Sequence, residues 1–172
     1  KALDYFKKSL KLDLSFFGEN HPSVASGYYN IGYVYFAQGD YSKALEYFEE
    51  VLKIRLSVYG ENHSQVSSIY DHIGEVYFAQ KDYSKALYYF EESLKIRLSL
   101  FGENHPEVAL SYYSIGSLYI IQGDKSKALN YYEKSLKIRL SVYGENHPLT
   151  KEIMDLINVA NSKVLQSPET TK

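Results

Sequence analysis

The stretch Gly18-Glu19-Asn20-His21 recurs without change at residues 60–63, 102–105 and 144–147. Each copy begins 42 residues after the previous one. A period between about 20 and 50 residues is typical of stacked repeats, in which no single repeat can bury its apolar face alone. The motif therefore predicts that most of the chain is an array of 42-residue repeats.

Each period is predicted to contain two helices. In the first full repeat, helix A covers about residues 22–38 and helix B covers about residues 41–59. Between them, Gly39 suits a left-handed helix end, and Asp40 can cap helix B by accepting from its first amides. The apolar stripe of helix A has the spacing of one helix face. It consists of Val24, Tyr28, Ile31 and Tyr35.

The repeats resemble tetratricopeptide repeats, whose helices carry a fixed pattern of aromatic and small residues. The matching residues of the three repeats are Tyr28, Ile31, Gly32, Tyr35, Ala44 and Phe48; Tyr70, Ile73, Gly74, Tyr77, Ala86 and Phe90; and Tyr112, Ile115, Gly116, Tyr119, Ala128 and Tyr132. The longer period, with Gly-Glu-Asn-His-Pro before helix A and Leu-Lys-Ile-Arg late in helix B, resembles the kinesin light chain type of repeat.

The resemblance implies an all-α fold, namely a right-handed superhelical solenoid of antiparallel helix pairs. The whole array is expected to form a single domain over residues 1–166. Its expected parts are a helix B without its own helix A at 1–17, full repeats at about 22–59, 64–101 and 106–143, and a C-terminal capping helix at 149–166. Residues 167–172 have no periodicity and are expected to be a disordered tail.

Composition argues against several classes of function. The chain has 172 residues with 19 Lys and Arg against 21 Asp and Glu, so its net charge is -2 and it has no general attraction for nucleic acid or anionic membrane. It has no Cys, which excludes disulfides, thiolate metal sites and a cysteine nucleophile within this sequence. No apolar stretch has the length of a membrane span. We therefore expect no nucleic-acid or membrane partner and a cytoplasmic location.

The four repeated histidines do not predict a metal site. Residues at equal places in successive repeats are about 10 Å apart, so they cannot share one ion. We interpret them as parts of a helix boundary, where Gly60 ends helix B with a left-handed backbone and Asn62 or His63 caps the next helix A. A proline such as Pro106 then occupies the first turn.

Two further charged segments are interpreted as structural. Asp71, His72 and Glu75 could hold an acid–base pair, since His72 and Glu75 are three residues apart on one helix. No nucleophile or phosphate-binding loop accompanies them, so we interpret them as a polar patch and predict that the chain is not an enzyme and needs no cofactor or metal. Lys53-Ile54-Arg55 and its copies are predicted to lie on a solvated convex face.

The resemblance implies that a ligand-binding groove is lined by the helix A positions that flank the core stripe. We call these positions the groove face. Unlike the core stripe, they differ from repeat to repeat. They are Ser26, Tyr29, Asn30, Tyr33 and Phe36 in the first repeat, Ser68, Asp71, His72, Glu75 and Phe78 in the second, and Leu110, Tyr113, Ser114, Ser117 and Ile120 in the third.

The expected function is that of a non-enzymatic scaffold that binds a peptide segment of a partner protein in this groove. Asn30 matches the helix A asparagines that kinesin light chains use to hold cargo peptides, whereas His72 and Ser114 depart from that pattern. Aromatic side chains should dominate binding, and Asp71 and Glu75 should favour a peptide with a basic residue beside apolar ones. The alternative is a spacer or self-assembly segment that stacks end to end through its incomplete first repeat.

Overall fold

The structure is a computed structural model that describes residues 1–162. These residues form helices only, and none of the helices has both the length and the apolar character needed to cross a membrane. The helices are α1 (Ala2–Phe17), α2 (Pro22–Ala37), α3 (Tyr41–Tyr59), α4 (Ser64–Ala79), α5 (Tyr83–Phe101), α6 (Pro106–Gln122), α7 (Lys125–Tyr143) and α8 (Pro148–Ser162). The end of the expected capping helix, residues 163–166, and the expected tail, residues 167–172, lie outside the described part.

The helices fall into two compact units. The first unit covers residues 1–100, and within it α1 packs on α2, α2 on α3 and α3 on α4. The second unit begins at Phe101, and within it α6 packs on α7 and α7 on α8. Helices α2, α4, α6 and α8 are in the helix A position of the repeat, and α1, α3, α5 and α7 are in the helix B position.

A glycine lies where the two helices of each repeat cross. A Cβ added to Gly74 would be only 2.7 Å from the ring of Phe90, and Ala86 on the partner helix is fully buried. A larger residue at either place would force the helices apart. The other crossing contacts are Gly32 with Phe48 at 2.9 Å and Gly116 with Tyr132 at 2.7 Å.

The repeated histidine caps helix A. His63 Nδ1 accepts from the Gln65 amide at 3.1 Å, and its ring stacks on Tyr59 at the end of the preceding helix with a centroid separation of 4.4 Å. The equivalent caps are His21 to Ser23, His105 to Glu107 and His147 to Leu149, stacked on Phe17, Phe101 and Tyr143. The histidine, and not Asn62, is therefore the N-cap.

The glycine that precedes this cap has the expected positive φ but a different ψ. Gly60 has φ 77° and ψ 175°, so its backbone is extended and not in the left-handed helical region. This combination is essentially restricted to glycine. The prediction of a left-handed helix end at Gly60 is therefore wrong in ψ, whereas the requirement for glycine remains.

The short turn between helices A and B also needs a positive φ. Gly39 has φ 78°. Gly123, two periods further along the chain, has φ 82° and ψ 1°, which is the left-handed helical conformation. The second repeat has Lys81 at this place, with φ 64°. After the turn, Asp40 caps α3 by accepting from the Lys43 amide at 3.3 Å.

Candidate functional site

The fifteen residues of the groove face lie on α2 and α4 in the first unit and on α6 in the second. None of them is buried. This separates them from the core stripe of the same helices, where Ile31, Ile73 and Ile115 are at most 1% exposed. The groove-face residues with the greatest exposure are Ser26, Asn30, Tyr33, Glu75, Leu110 and Ile120.

In the first unit, three groove-face residues from two successive repeats form a chain of hydrogen bonds. Tyr29 Oη lies 3.0 Å from His72 Nε2, and His72 Nδ1 lies 3.1 Å from Glu75 Oε2. With neutral imidazole and ionised Glu75, Nδ1–H donates to the carboxylate and Nε2 accepts from the phenol. The chain links α2 to α4 and leaves the Glu75 carboxylate half-exposed.

This arrangement has the order hydroxyl, imidazole and carboxylate, but its chemistry does not favour catalysis. Burial raises the pKa of the Tyr29 phenol, with a smaller contribution from the negative charge of Glu75. A raised pKa keeps the phenol protonated, whereas an activated nucleophile needs a lowered one. No three potential metal ligands come together anywhere in residues 1–162. The absence of enzyme activity and of a cofactor remains a prediction.

The third member of the predicted polar patch, Asp71, has a separate partner. Its carboxylate lies 2.7 Å from the guanidinium of Arg97 on α5, and the two side chains are 19% and 6% exposed. Burial raises the pKa of Asp71, while the charge of Arg97 opposes the rise. The negative charge expected from Asp71 is thus compensated by Arg97, a cation that the sequence predicts on the convex face.

The arginine that ends each Lys-Ile-Arg segment does not lie on a solvated convex face. Arg97 and Arg139 are only 5% and 4% exposed, so this prediction is wrong for both. Arg139 packs against the next helix A, because it donates to the Leu149 carbonyl at 2.6 Å. Arg55 donates in the same way to the Gln65 carbonyl at 2.7 Å. Arg55 and Arg139 therefore each join their own repeat to the next helix A.

The same arginines touch one groove-face position in every repeat. Arg55 lies over the ring of Tyr29 at 6.0 Å, and Arg139 lies over the ring of Tyr113 at 5.0 Å. In the second repeat that position is Asp71, so a cation–π contact is replaced by an ion pair. The sequence period could have revealed this equivalence, since the three arginines and the three partners are each 42 residues apart.

An aromatic ladder runs along α2 beside the hydrogen-bonded chain. The rings of Tyr29 and Tyr33 are 6.3 Å apart, and those of Tyr33 and Phe36 are 6.5 Å apart. Tyr33 is 52% exposed, and the neighbouring Asn30 is also exposed. The first unit therefore presents aromatic surface, an amide and a carboxylate on the same side of α2 and α4.

In the second unit, α8 contributes residues that are not among the predicted groove-face residues. Tyr113 Oη donates to Glu152 at 3.1 Å, and Glu152 also lies 3.6 Å from Arg139. A depression of about 190 Å³ opens next to this cluster. It is lined by Ile120, Lys125, Tyr132, Leu156, Val159 and Ala160. The period would have identified Leu156 and Val159, because they align with Ser114 and Ser117.

Comparisons with known proteins agree with the helix pairs. A family model described as tetratricopeptide repeat matches residues 1–57, 23–99 and 65–141. No curated protein sequence matches the chain.

Solved structures with a similar fold include BtubC from P. vanneervenii, with a TM-score of 0.76 and 19% identity over 98% of this chain and 75% of that one. A putative kinesin light chain from Podosopora anserina, with nearly identical TPR-like repeats, has a TM-score of 0.72 and 16% identity over 96% and 88% of the two chains. The apo form of RapI has a TM-score of 0.79 and 21% identity over 95% of this chain and 57% of that one. At these identities the likeness shows the fold alone, and the all-α repeat fold is confirmed.

Proposed function

The chain belongs to the tetratricopeptide repeat family, and on this premise we propose that it is a protein-interaction scaffold that binds a peptide segment of a partner on the groove face. The observation that carries the proposal is the aromatic ladder of Tyr29, Tyr33 and Phe36, in which Tyr33 is 52% exposed, beside the polar side chains of α4. Aromatic side chains give large contact area with few rotatable bonds, and such residues dominate binding energy at protein interfaces.

The polar residues of the first unit indicate how a peptide would be oriented. Asn30 is exposed and can pair with both a backbone N–H and a backbone C=O. The side chain of Glu75 is 53% exposed and can accept from a cationic side chain. Because Arg97 compensates Asp71, the preference for a peptide with a basic residue rests on Glu75 and not on two carboxylates.

The likeness to a putative kinesin light chain supports an adaptor role of the same general kind. Asn30 is the groove-face residue that fits the helix A asparagines of that family, while His72 is engaged by both of its neighbours, Tyr29 and Glu75. The partner of this chain is therefore proposed to differ from acidic cargo peptides, and the cytoplasmic location remains part of the proposal.

A peptide library panned against the whole chain tests the proposal. Tyr33→Ala should weaken the selected peptides by about tenfold or more, because it removes an exposed anchor with little effect on the core. Tyr88→Ala is the matched control, since Tyr88 is 58% exposed on α5 and is not on the groove face. Glu75→Gln should weaken only the peptides that carry Lys or Arg. Equal affinities for wild type and Tyr33→Ala would contradict binding at this face.

A further inference from the structure

The third repeat departs from the first two at a pair of positions that pack together. In the first repeat, the rings of Phe36 and Tyr41 have centroids 5.9 Å apart and fill the space between the end of helix A and the start of helix B. Phe78 and Tyr83 repeat this contact in the second repeat, also at 5.9 Å. The period aligns Ile120 and Lys125 with these pairs, so both rings are missing from the third repeat.

The depression in the second unit opens where these rings are missing. It is lined by Ile120 and Lys125 and, from α8, by Leu156 and Val159. Tyr132 also lines it; this residue is only 2% exposed and its ring packs closely against Gly116. Apart from the ammonium of Lys125, the lining is apolar or aromatic.

We propose that this depression, which we call the ring pocket, receives one aromatic side chain of the bound peptide. The inference rests on the proposed function and deepens it, since it names a residue type that the ligand must carry. The chain itself fills the corresponding place of the first and second repeats with an aromatic pair. A volume of about 190 Å³ has room for one such ring.

Lys125 favours an aromatic ring over an aliphatic side chain of similar size. An ammonium over a ring face gains a cation–π attraction that an aliphatic group does not offer. The chain uses this contact elsewhere, with Lys85 over Tyr77 at 4.9 Å and Lys127 over Tyr119 at 5.0 Å.

The first experiment uses N-acetyl-tyrosinamide as the probe and N-acetyl-leucinamide as its aliphatic comparator. The whole chain, labelled at Ile, Leu and Val methyl groups, is titrated with each amide and followed by NMR. We expect saturating shifts at Ile120, Leu156 and Val159, with the tyrosine amide bound about two- to fivefold more tightly. Shifts spread over the surface, or equal affinity for the two amides, would overturn the ring pocket.

The second experiment closes the ring pocket. Ile120→Phe combined with Lys125→Tyr restores the aromatic pair of the other repeats, so the variant should fold at least as stably as wild type. It should no longer bind the tyrosine amide. Ile121→Phe is the matched control, because Ile121 is exposed next to Ile120 but does not line the depression. Lys125→Gln should reduce only the preference for the tyrosine amide. Unchanged probe binding in the double variant would overturn the assignment.

Peptides selected from the library separate this inference from the proposed function. If Tyr33→Ala weakens them and the closed pocket does not, groove-face binding stands and the ring pocket falls. If no peptide is selected while the tyrosine amide still binds and is blocked by Ile120→Phe with Lys125→Tyr, the proposed function falls, and with it the peptide as the source of the ring, whereas the preference of the ring pocket for an aromatic ring stands. If both hold, the selected peptides should carry an aromatic residue whose replacement by Ala weakens binding about tenfold or more.

Discussion

Lys81 has the backbone conformation of a glycine. Its φ of 64° matches the positive φ of Gly39 and Gly123 at the same place in the other repeats. A residue with a Cβ pays about 1–2 kcal/mol to adopt this conformation, because the Cβ comes too close to the following carbonyl oxygen. The second repeat therefore contains a strained turn that the other two avoid.

Lys81→Gly should stabilise the protein. Removal of the Cβ relieves the strain, while glycine adds some chain entropy to the unfolded state, so we expect a net gain of about 0.5–1 kcal/mol in the free energy of unfolding. Thermal and urea unfolding both measure it. Gly123→Lys is the reciprocal control and should cost a comparable amount. A loss of stability in Lys81→Gly would show that the lysine side chain contributes more than its backbone costs.

Asp71 predicts a pH dependence of stability that can be isolated by mutation. Burial raises its pKa above the ordinary value of 3.8, with Arg97 opposing the rise. A carboxyl group with a raised pKa in the folded state contributes stability that is complete below its unfolded pKa. That contribution is lost as the pH rises through the folded pKa.

The expected result is that wild type loses stability relative to Asp71→Asn as the pH rises above the ordinary pKa of 3.8. Urea unfolding of both proteins at several pH values gives the difference, in which the titration of all other carboxyl groups largely cancels. A difference that instead increased toward neutral pH would mean that the attraction of Arg97 outweighs burial and that the pKa of Asp71 is lowered.

Within each helix pair, one glycine per repeat decides how closely the two helices approach each other. Gly74→Ala is informative because, in an exposed helix, this change gains about 1 kcal/mol through helix propensity. Here the added Cβ would lie 2.7 Å from the Phe90 ring, so we expect the free energy of unfolding to fall by about 1–3 kcal/mol. Thermal unfolding measures this change. Gly27→Ala should cost less, because the nearest atom to its Cβ, at 3.0 Å, is the end of the Leu10 side chain. Equal stability of Gly74→Ala and wild type would contradict this packing.

Elements that repeat were predictable from the sequence, and contacts that differ between repeats were not. The crossing glycines and the histidine caps recur every 42 residues, and this regular spacing indicates that they have a structural role. The pair of Asp71 and Arg97 was missed because a charged run such as the one that contains Arg97 is typical of a solvated face. The partner carboxylate, Asp71, also lies on a different helix. Leu156 and Val159 were missed because α8 departs from the family pattern, with Asn158 at the position of the crossing glycine and Asn161 at the position of the core tyrosine.

For the whole molecule, the remaining alternative is end-to-end assembly of copies through α1 and α8. Helix α1 has the sequence of a helix B and exposes Tyr5 and Phe16 at 80% and 78%. Helix α8 is in the helix A position, so in such an assembly α1 of a second copy would serve as its helix B. The residue at the crossing point decides whether this can occur.

Asn158 of α8 aligns with Gly32, where even one added carbon would come within 2.9 Å of the Phe48 ring. A helix B therefore cannot approach α8 as α3 approaches α2, and Asn161 replaces the tyrosine at the Tyr35 position. We expect no open-ended growth when light scattering is measured over a wide range of concentrations. Restoring the pattern with Asn158→Gly and Asn161→Tyr should allow chains of copies to form. Growth beyond a dimer in wild type would show that α8 accepts a partner in spite of Asn158. Self-assembly would then replace peptide binding as the proposed function.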